Sequence, residues 1–168
     1  YTPVYEMGRG QNRMSEISLA KAEAMIDAIL KKAADEHCKP MAVAVTNQGG
    51  SVIAFKKQDD SSMLRFEMAF GKCYGALALG RSTSLVRLRA EQRPLFMDYL
   101  FRASEGKIFA EDGGMLVRDQ DGTLLGAIGV TGERPERDEE LAAHGIRTAG
   151  FLTDDDASGL CRHIRLEN

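Results

Sequence analysis

A single lysine in an otherwise uncharged stretch is the residue of this chain best placed to do chemistry. Lys72 is the one charge between Met68 and Gly80, and the apolar residues around it predict a helix that is buried over most of its surface. Burial lowers the pKa of an ammonium group, which is how lysines become bases or imine-forming nucleophiles. We therefore expect Lys72 either to face a ligand or to reach water at the helix rim, with its aliphatic stem covering apolar surface.

Three glycines spaced three residues apart form a second candidate feature. Gly126, Gly129 and Gly132 fall in or just after a predicted strand, where a missing side chain allows a ligand or another backbone to approach closely. The first alternative predicts a pocket wall of bare backbone, and the second predicts a tightly packed helix. The spacing differs from the dinucleotide-binding G-x-G-x-x-G pattern, and the chain contains neither a P-loop nor a G-x-S-x-G sequence.

Carboxylates and histidines supply the remaining candidates for catalysis and ligation. Glu111 and Asp138 could meet Lys72 in space as an acid–base set, with turn and helix-dipole roles as the alternative. The histidines, at positions 37, 144 and 163, and the three cysteines lack the spacing of a zinc site, so we predict no metal centre. One axial ligand is enough for haem iron, and haem therefore stays open as a cofactor.

Length and composition exclude several classes of protein. With 168 residues, 43% of them hydrophobic, the chain is long enough for one domain with its own core. A net charge of −3 without a basic cluster argues against nucleic-acid binding, and the apolar stretches are far shorter than the roughly 20 residues of a membrane-spanning helix. An odd number of cysteines, far apart, predicts a reducing, cytoplasmic location, although the sequence begins at Tyr1 and a removed leader is the open alternative.

The elements that must position these residues can be assigned from periodicity and helix-boundary signals. An amphipathic helix of about twenty residues begins after Ser18, and Pro94 and Pro135 stand at first helical positions. Alternating apolar residues around polar turns predict hairpins over 41–55 and 115–130. Antiparallel strands with helices around them make an α+β domain. The predicted divisions of the chain are an N-terminal arm (1–17), the domain (18–150) and a C-terminal tail (151–168).

Three segments of the chain carry motifs that point to a family. They read MAVAVTNQGGSVIAF (41–55), FGKCYGALALGRSTSLV (70–86) and GGMLVRDQDGTLLGAIGVTGERPERDEELAAHG (113–145). In this order they resemble the GlcG/HbpS family, also called the haem-degrading or PduO C-terminal-like domain, over the whole predicted domain. The third segment is the most specific of the three.

That resemblance implies a profilin-like three-layer α/β/α fold with a five-stranded antiparallel sheet, assembled into dimers or higher homo-oligomers. Members of the family are associated with haem or corrinoid binding, or with glycolate, diol and aromatic catabolism. The catalytic candidates are Lys72, Glu111 and Asp138. The ligand-binding candidates, most of them at motif positions, are Tyr74, Arg81, Thr83, Ser84, Gly113, Gly114, Gly129 and Thr131.

Departures from the family pattern indicate a ligand other than haem. The usual Gly/Pro-rich connection is replaced by a basic, aromatic stretch over 87–102, and Arg134 and Arg137 add charge after the second hairpin. A polar pocket rimmed by arginines suits a small carboxylate. We therefore expect a small-ligand-binding protein of small-acid or aromatic catabolism. The alternatives are a lyase- or isomerase-type enzyme that uses Lys72 on an oxo-acid, and a haem-binding sensor or storage protein.

Overall fold

Four antiparallel strands form the central sheet of the protein, whose computed structural model describes residues 16–167. The strands are β1 (Ala42–Asn47), β2 (Val52–Lys57), β3 (Gly114–Arg118) and β4 (Leu124–Thr131), and they lie in the order β2-β1-β4-β3. Both predicted hairpins are present, and β1 pairs with β4 at the centre of the sheet. The sheet therefore joins two hairpins that are far apart in the sequence.

Six helices surround this sheet within the described residues. They are α1 (Leu19–Asp35), α2 (Arg65–Leu79), α3 (Thr83–Gln92), α4 (Pro94–Ala103), α5 (Pro135–Thr148) and α6 (Asp154–Ala157). The Ser18 hydroxyl caps α1 by accepting a hydrogen bond from the backbone of Lys21, and Pro94 and Pro135 begin α4 and α5. No helix of the described chain combines the length and the apolar character needed to cross a membrane. The predicted α+β class is confirmed.

The helices form layers on both faces of the sheet. On one face, α1 and α5 pack on a large apolar core that includes Val45 and Ile128 of the central strands. On the opposite face, α2 packs through Ala69, Cys73 and Ala76. A smaller apolar cluster under α3 and α4 extends this second layer. Large side chains therefore fill the first interface, whereas small side chains allow α2 to lie close to the sheet.

Glycines on the strands under α2 let this helix approach the sheet closely. A Cβ atom added to Gly129 would lie 2.0 Å from the Ala69 carbonyl oxygen, and one added to Gly114 would lie 2.4 Å from that of Lys72. Side chains do not tolerate contacts this short, so only glycine fits at these two positions. The packing of α2 is therefore a sufficient reason for both glycines.

The five-stranded sheet expected from the family resemblance is wrong for the described residues, in which the sheet has four strands. At the open edge of β3, Leu152 forms an isolated antiparallel bridge with Arg118 and the pairing goes no further. Thr153 ends the extended backbone because its side chain and that of Asp156 form a capping box that starts α6. Residues 1–15, most of the predicted N-terminal arm, lie outside the described residues.

Candidate functional site

Lys72 lies on the side of α2 that faces the sheet, and its ammonium group is both buried and paired. The side chain is 1% exposed. Nζ donates hydrogen bonds to the Val130 carbonyl oxygen at 2.8 Å and to Asp138 Oδ2 at 3.1 Å. Burial lowers the pKa of Lys72, while the charge of Asp138 opposes that change. Two hydrogen bonds therefore fix the lysine nitrogen and link α2 to β4 and α5.

Asp138, in the first turn of α5, completes this buried ion pair. Its Oδ1 accepts a hydrogen bond from the backbone N–H of Glu133 at 2.9 Å, and its Oδ2 accepts one from that of Gly132 at 3.3 Å. Burial raises the pKa of Asp138, and the ammonium group of Lys72 opposes that change. Both carboxylate oxygens have donors, as a buried charge requires.

Gly113 closes the space beside the buried ion pair. Its φ of +109° lies in the region that favours glycine. A Cβ atom added there would stand 2.9 Å from Asp138 Cβ and 3.1 Å from Lys72 Nζ. Backbone this close leaves no room for a substrate atom between Gly113 and the ion pair.

Thr83 and Ser84, at the start of α3, hold this helix to its neighbours. Thr83 Oγ1 accepts a hydrogen bond from the Gly114 N–H at 2.8 Å, and Ser84 Oγ donates one to Glu139 Oε1 at 2.8 Å. Burial raises the pKa of Glu139, and the hydrogen bond from Ser84 opposes that change. These two candidates therefore connect α3 to β3 and α5.

The other predicted candidates lie apart from the buried ion pair. Glu111 lies 3.9 Å from the Arg87 guanidinium, and its charge raises the pKa of Lys72 from a distance. The centroid of the Tyr74 ring lies 6.0 Å from that of Phe70 on α2. Thr131 accepts a weak hydrogen bond of 3.4 Å from the first residue of α2. The structure thus brings Asp138 to Lys72 but leaves Glu111 outside their hydrogen bonds.

Arg81 leads to a different site, a cavity of about 460 Å³. This cavity lies where the end of α2, the helices α3 and α4, the strands β3 and β4, and the C-terminal tail meet. Its charged and aromatic lining residues are Arg81, Arg89, Phe96, Arg118, His163 and Arg165. No acidic residue of the described chain lines it. We call it the arginine cavity.

Arg118 is the neutralised member of this set. Its Nε donates a hydrogen bond to Asp154 Oδ1 at 2.6 Å, and its Nη1 donates one to the Gly122 carbonyl oxygen at 3.0 Å. Both Arg118 and Asp154 are buried. The charge of Arg118 is therefore balanced within the fold, and this residue supports the cavity wall.

Arg89 and Arg165 carry charge that is not balanced in this way. Among residues 16–167, no carboxylate forms an ion pair or a hydrogen bond with either of them. Burial lowers the pKa of Arg81, and the charges of Arg89 and Arg165 lower it further. The repulsion that these two groups exert therefore falls on the buried guanidinium group of Arg81. An anion in the cavity would relieve that repulsion.

Phe96 gives the arginine cavity an aromatic wall. Its ring centroid lies 4.4 Å from Cζ of Arg93 and 6.0 Å from Cζ of Arg89. A ring face orients a guanidinium group while leaving its N–H donors free to bind other groups. The same ring offers contact surface to the apolar part of a ligand.

Sequence reasoning selected Arg81 and kept His163 as one of three candidate haem ligands, but it did not single out Arg89 or Arg165. The basic stretch over 87–102 contained a signal for Arg89, since it indicated an arginine-rimmed pocket. The tail contained no signal for Arg165, because this residue reaches the cavity through long-range packing.

An antiparallel sheet between two helical layers, with a cation-lined cavity where the strands meet the helices, defines a small α+β domain of three layers. The chain belongs to the HbpS-like family, since residues 17–147 match the family model described as "Haem degrading protein HbpS-like". The match ends before the tail residues His163 and Arg165 that line the arginine cavity.

Known proteins share the sequence pattern and the fold. A protein of Citrobacter freundii, described as an uncharacterised 15.0 kDa protein in the dhaT–dhaS intergenic region, is 28% identical over 130 residues, which cover 77% of this chain and 89% of the relative. The crystal structure of a PduOC–haem complex has a TM-score of 0.72 at 22% identity, covering 82% of this chain and 98% of that one. HbpS of Streptomyces reticuli, solved as a double mutant, has a TM-score of 0.70 at 22% identity, covering 89% and 98%. At these identities the structural likeness shows the fold.

Proposed function

We propose that this protein binds a small carboxylate ligand in the arginine cavity. The observation that carries the proposal is a pair of guanidinium groups, those of Arg89 and Arg165, without a carboxylate partner among the described residues. A guanidinium and a carboxylate form paired, charge-assisted hydrogen bonds. Such bonds are stronger in a partly desolvated cavity than in water, because the effective dielectric is lower there.

The size and lining of the cavity suit a small molecule. Its volume of about 460 Å³ falls within the range of roughly 300–1,000 Å³ that is usual for ligand sites. Leu79, Leu116 and Leu124 line it together with Phe96. These apolar surfaces can contact the carbon skeleton of an acid whose carboxylate meets the arginines.

Other features of the chain support a metabolic role, a location and an oligomeric state for this binding protein. Its resemblance to the GlcG/HbpS family supports a role in small-acid or aromatic catabolism, in which carboxylates are common substrates. All three cysteines are free thiols, which supports a reducing, cytoplasmic location. Exposed apolar side chains, among them Met63, Leu95 and Tyr99, support assembly into a homo-oligomer.

Calorimetric titrations with benzoate and glycolate test the proposal. Wild-type protein is expected to bind at least one of them more tightly than its uncharged amide. Arg89→Gln is expected to weaken that binding by about tenfold or more, because one charge-assisted pair is lost. Arg102→Gln is the matched control, since Arg102 is exposed on α4, pairs with Asp98 and does not line the cavity. Equal binding of acid and amide, or equal affinity in Arg89→Gln and wild-type protein, would contradict the proposal.

Haem is a second candidate ligand because of His163. Its imidazole lines the arginine cavity and could hold iron, while the guanidinium groups there suit the propionates of haem. A solved protein of the same fold is described as a haem complex. The residues therefore fit the group, and haem bound there would supply redox or sensing chemistry. A haemin titration should give a Soret band that His163→Ala abolishes and that His144→Ala, on α5, retains. A band that survives His163→Ala would exclude this site for haem.

The alternative of an imine-forming enzyme depends on Lys72. Its Nζ donates hydrogen bonds to Val130 and Asp138 and lies close to Gly113. Both hydrogen bonds would have to break before this nitrogen could attack an oxo-acid. Borohydride reduction that couples a keto acid to Lys72 would support the enzyme. Arginine-dependent binding without such coupling would support the binding protein.

A further inference from the structure

We infer that the C-terminal segment over 158–167 completes the arginine cavity and makes it selective for a ligand with two anionic groups, such as a dicarboxylate. This inference rests on the proposed function, because it concerns what the same cavity binds. The segment is fixed at the edge of the sheet, and it brings two positively charged or ionisable side chains, those of His163 and Arg165, to the cavity.

The chain reaches the cavity from a firmly held point at the sheet edge. Leu152 and Arg118 exchange two backbone hydrogen bonds of 2.9 Å, and the Arg118 guanidinium binds Asp154. Asp156 then pairs with Arg147 of α5 through two hydrogen bonds of 3.0 Å. These contacts fix the point from which the segment leaves the fold.

The segment itself contains no helix or strand within 158–167. Leu160 packs against the turn between β3 and β4, where a Cβ atom added to Gly122 would lie 3.3 Å from Leu160 Cβ. From this contact the chain continues to His163 and Arg165, which line the arginine cavity. Neither side chain is buried, so both can adjust when a ligand enters.

The two unbalanced guanidinium groups come from different parts of the fold. Arg89 belongs to α3, and Arg165 belongs to the C-terminal segment. In the described chain neither has a carboxylate partner, whereas Arg118 is balanced by Asp154. The charges of both reach Arg81, whose pKa they lower, so the three groups share one electrostatic environment.

Charge balance then decides between ligands with one and with two anionic groups. One carboxylate satisfies one guanidinium fork through two parallel hydrogen bonds. A ligand with one anionic group would leave either Arg89 or Arg165 without a counter-charge beside the buried Arg81. A ligand with two anionic groups would balance both, and would bridge the segment to α3.

The segment lies outside the part of the chain that matches the HbpS-like family model, since that match ends at residue 147. Selectivity that depends on Arg165 is therefore a property of this chain's own tail. Relatives that share the matched region need not share it.

Calorimetric titrations of the full chain with phthalate, a dianion, and benzoate, the corresponding monoanion, test this inference. Wild-type protein is expected to bind phthalate about tenfold or more tightly than benzoate, because a second charge-assisted pair forms. Arg165→Gln is expected to lose this preference, because only one guanidinium group without a carboxylate partner in the described chain is then left to bind a carboxylate. Arg162→Gln is the matched control, since Arg162 is exposed in the same segment and does not line the cavity. Succinate with butyrate repeats the comparison for aliphatic acids.

The outcomes separate this inference from the proposed function. Wild-type protein that binds monoanions and dianions equally, or an Arg165→Gln variant that keeps the preference, would overturn the inference and leave carboxylate binding intact. Haemin carries two propionates and forms a third arm. A dependence on Arg165 seen with haemin alone would place the two anionic groups on haem, whereas dependence with phthalate or succinate would place them on a small acid. Binding of no anion at all would remove both proposals.

Discussion

The positive charges of the buried ion pair and of the arginine cavity have different surroundings. Lys72 is removed from water and supplied with a carboxylate and a carbonyl oxygen. Arg89 and Arg165 keep contact with solvent and have no carboxylate partner in the described chain. A charge whose partners lie inside the fold helps to specify that fold, whereas a charge without a partner in a cavity is available to a ligand.

This comparison shows that residue type alone does not separate structural from functional charges. A solitary lysine in an apolar helix and the arginines of the basic stretch over 87–102 are both candidates by sequence. The difference lies in their partners, which come from distant parts of the chain. The two regions should therefore respond differently to substitution: changes at the ion pair should alter stability, and changes in the cavity should alter affinity.

Replacing Lys72 by methionine is expected to have the largest effect on stability. The variant Lys72→Met leaves Asp138 as a buried charge without its partner, so the free energy of unfolding should fall by about 3–5 kcal/mol. Urea unfolding measures this change. The double variant Lys72→Met/Asp138→Leu should recover part of the loss, because both charges are then absent.

Lys31→Met provides a control for this experiment, since Lys31 pairs with Asp35 on the exposed surface of α1. Its stability should stay close to that of wild-type protein. A Lys72→Met variant as stable as this control would show that the ion pair does not support the fold.

Gly129→Ala is expected to have an intermediate effect. The new Cβ would collide with the Ala69 carbonyl oxygen at 2.0 Å, so α2 must move and the free energy of unfolding should fall by about 1–3 kcal/mol. Gly159→Ala is the matched control, because an added Cβ there has no atom within 4 Å. Benzoate affinity measured on the folded variant distinguishes the two roles of Gly129. Lost affinity with unchanged stability would mean that this glycine faces a ligand.

The smallest effect is expected at the anchor of the C-terminal segment. The hydrogen bond from Arg147 lowers the pKa of Asp156 below its ordinary value of 3.8. The unfolded chain therefore takes up the proton more readily than the folded one does. It follows that the stability contributed by Asp156 is complete above pH 3.8 and is lost as the pH falls through the lowered folded-state pKa.

Asp156→Asn should remove this part of the acid dependence, which urea unfolding between about pH 5 and pH 2 measures. Asp155→Asn is the matched control, because Asp155 is the exposed neighbour and forms neither a hydrogen bond nor an ion pair with Arg147 in the described structure. Identical acid profiles for Asp156→Asn and wild-type protein would show that the anchor does not depend on this carboxylate.

Local features of the fold could be predicted from the sequence because they depend on a few neighbouring residues. The cap at Ser18, the helix starts at Pro94 and Pro135, and both hairpins belong to this group. The number of strands came from family resemblance and was wrong for the described residues. After the single β-bridge at Leu152, the capping box of Thr153 and Asp156 starts α6, so the extended backbone ends before a fifth strand can form. The family pattern does not contain the signal for this helix start.

The candidate site could be predicted only in part. The apolar neighbours of Lys72 predicted a buried helix, but the alternative that its ammonium group reaches water is wrong. The basic stretch over 87–102, together with Arg134 and Arg137, predicted an arginine-rimmed pocket, and of these arginines only Arg89 lines the arginine cavity. The contribution of Arg165 could not be foreseen. It depends on the tail folding back to the end of α2, and an irregular polar segment carries no periodic signal for such packing.

Diffraction from crystals soaked in 4-bromobenzoate tests the central claim most directly, because the anomalous signal of bromine locates the bound acid. We predict a bromine peak in the arginine cavity, with the carboxylate within hydrogen-bonding distance of Arg89 or Arg165. A peak beside Lys72, or an arginine cavity without ligand at saturating concentration, would contradict the assignment of this cavity as the binding site.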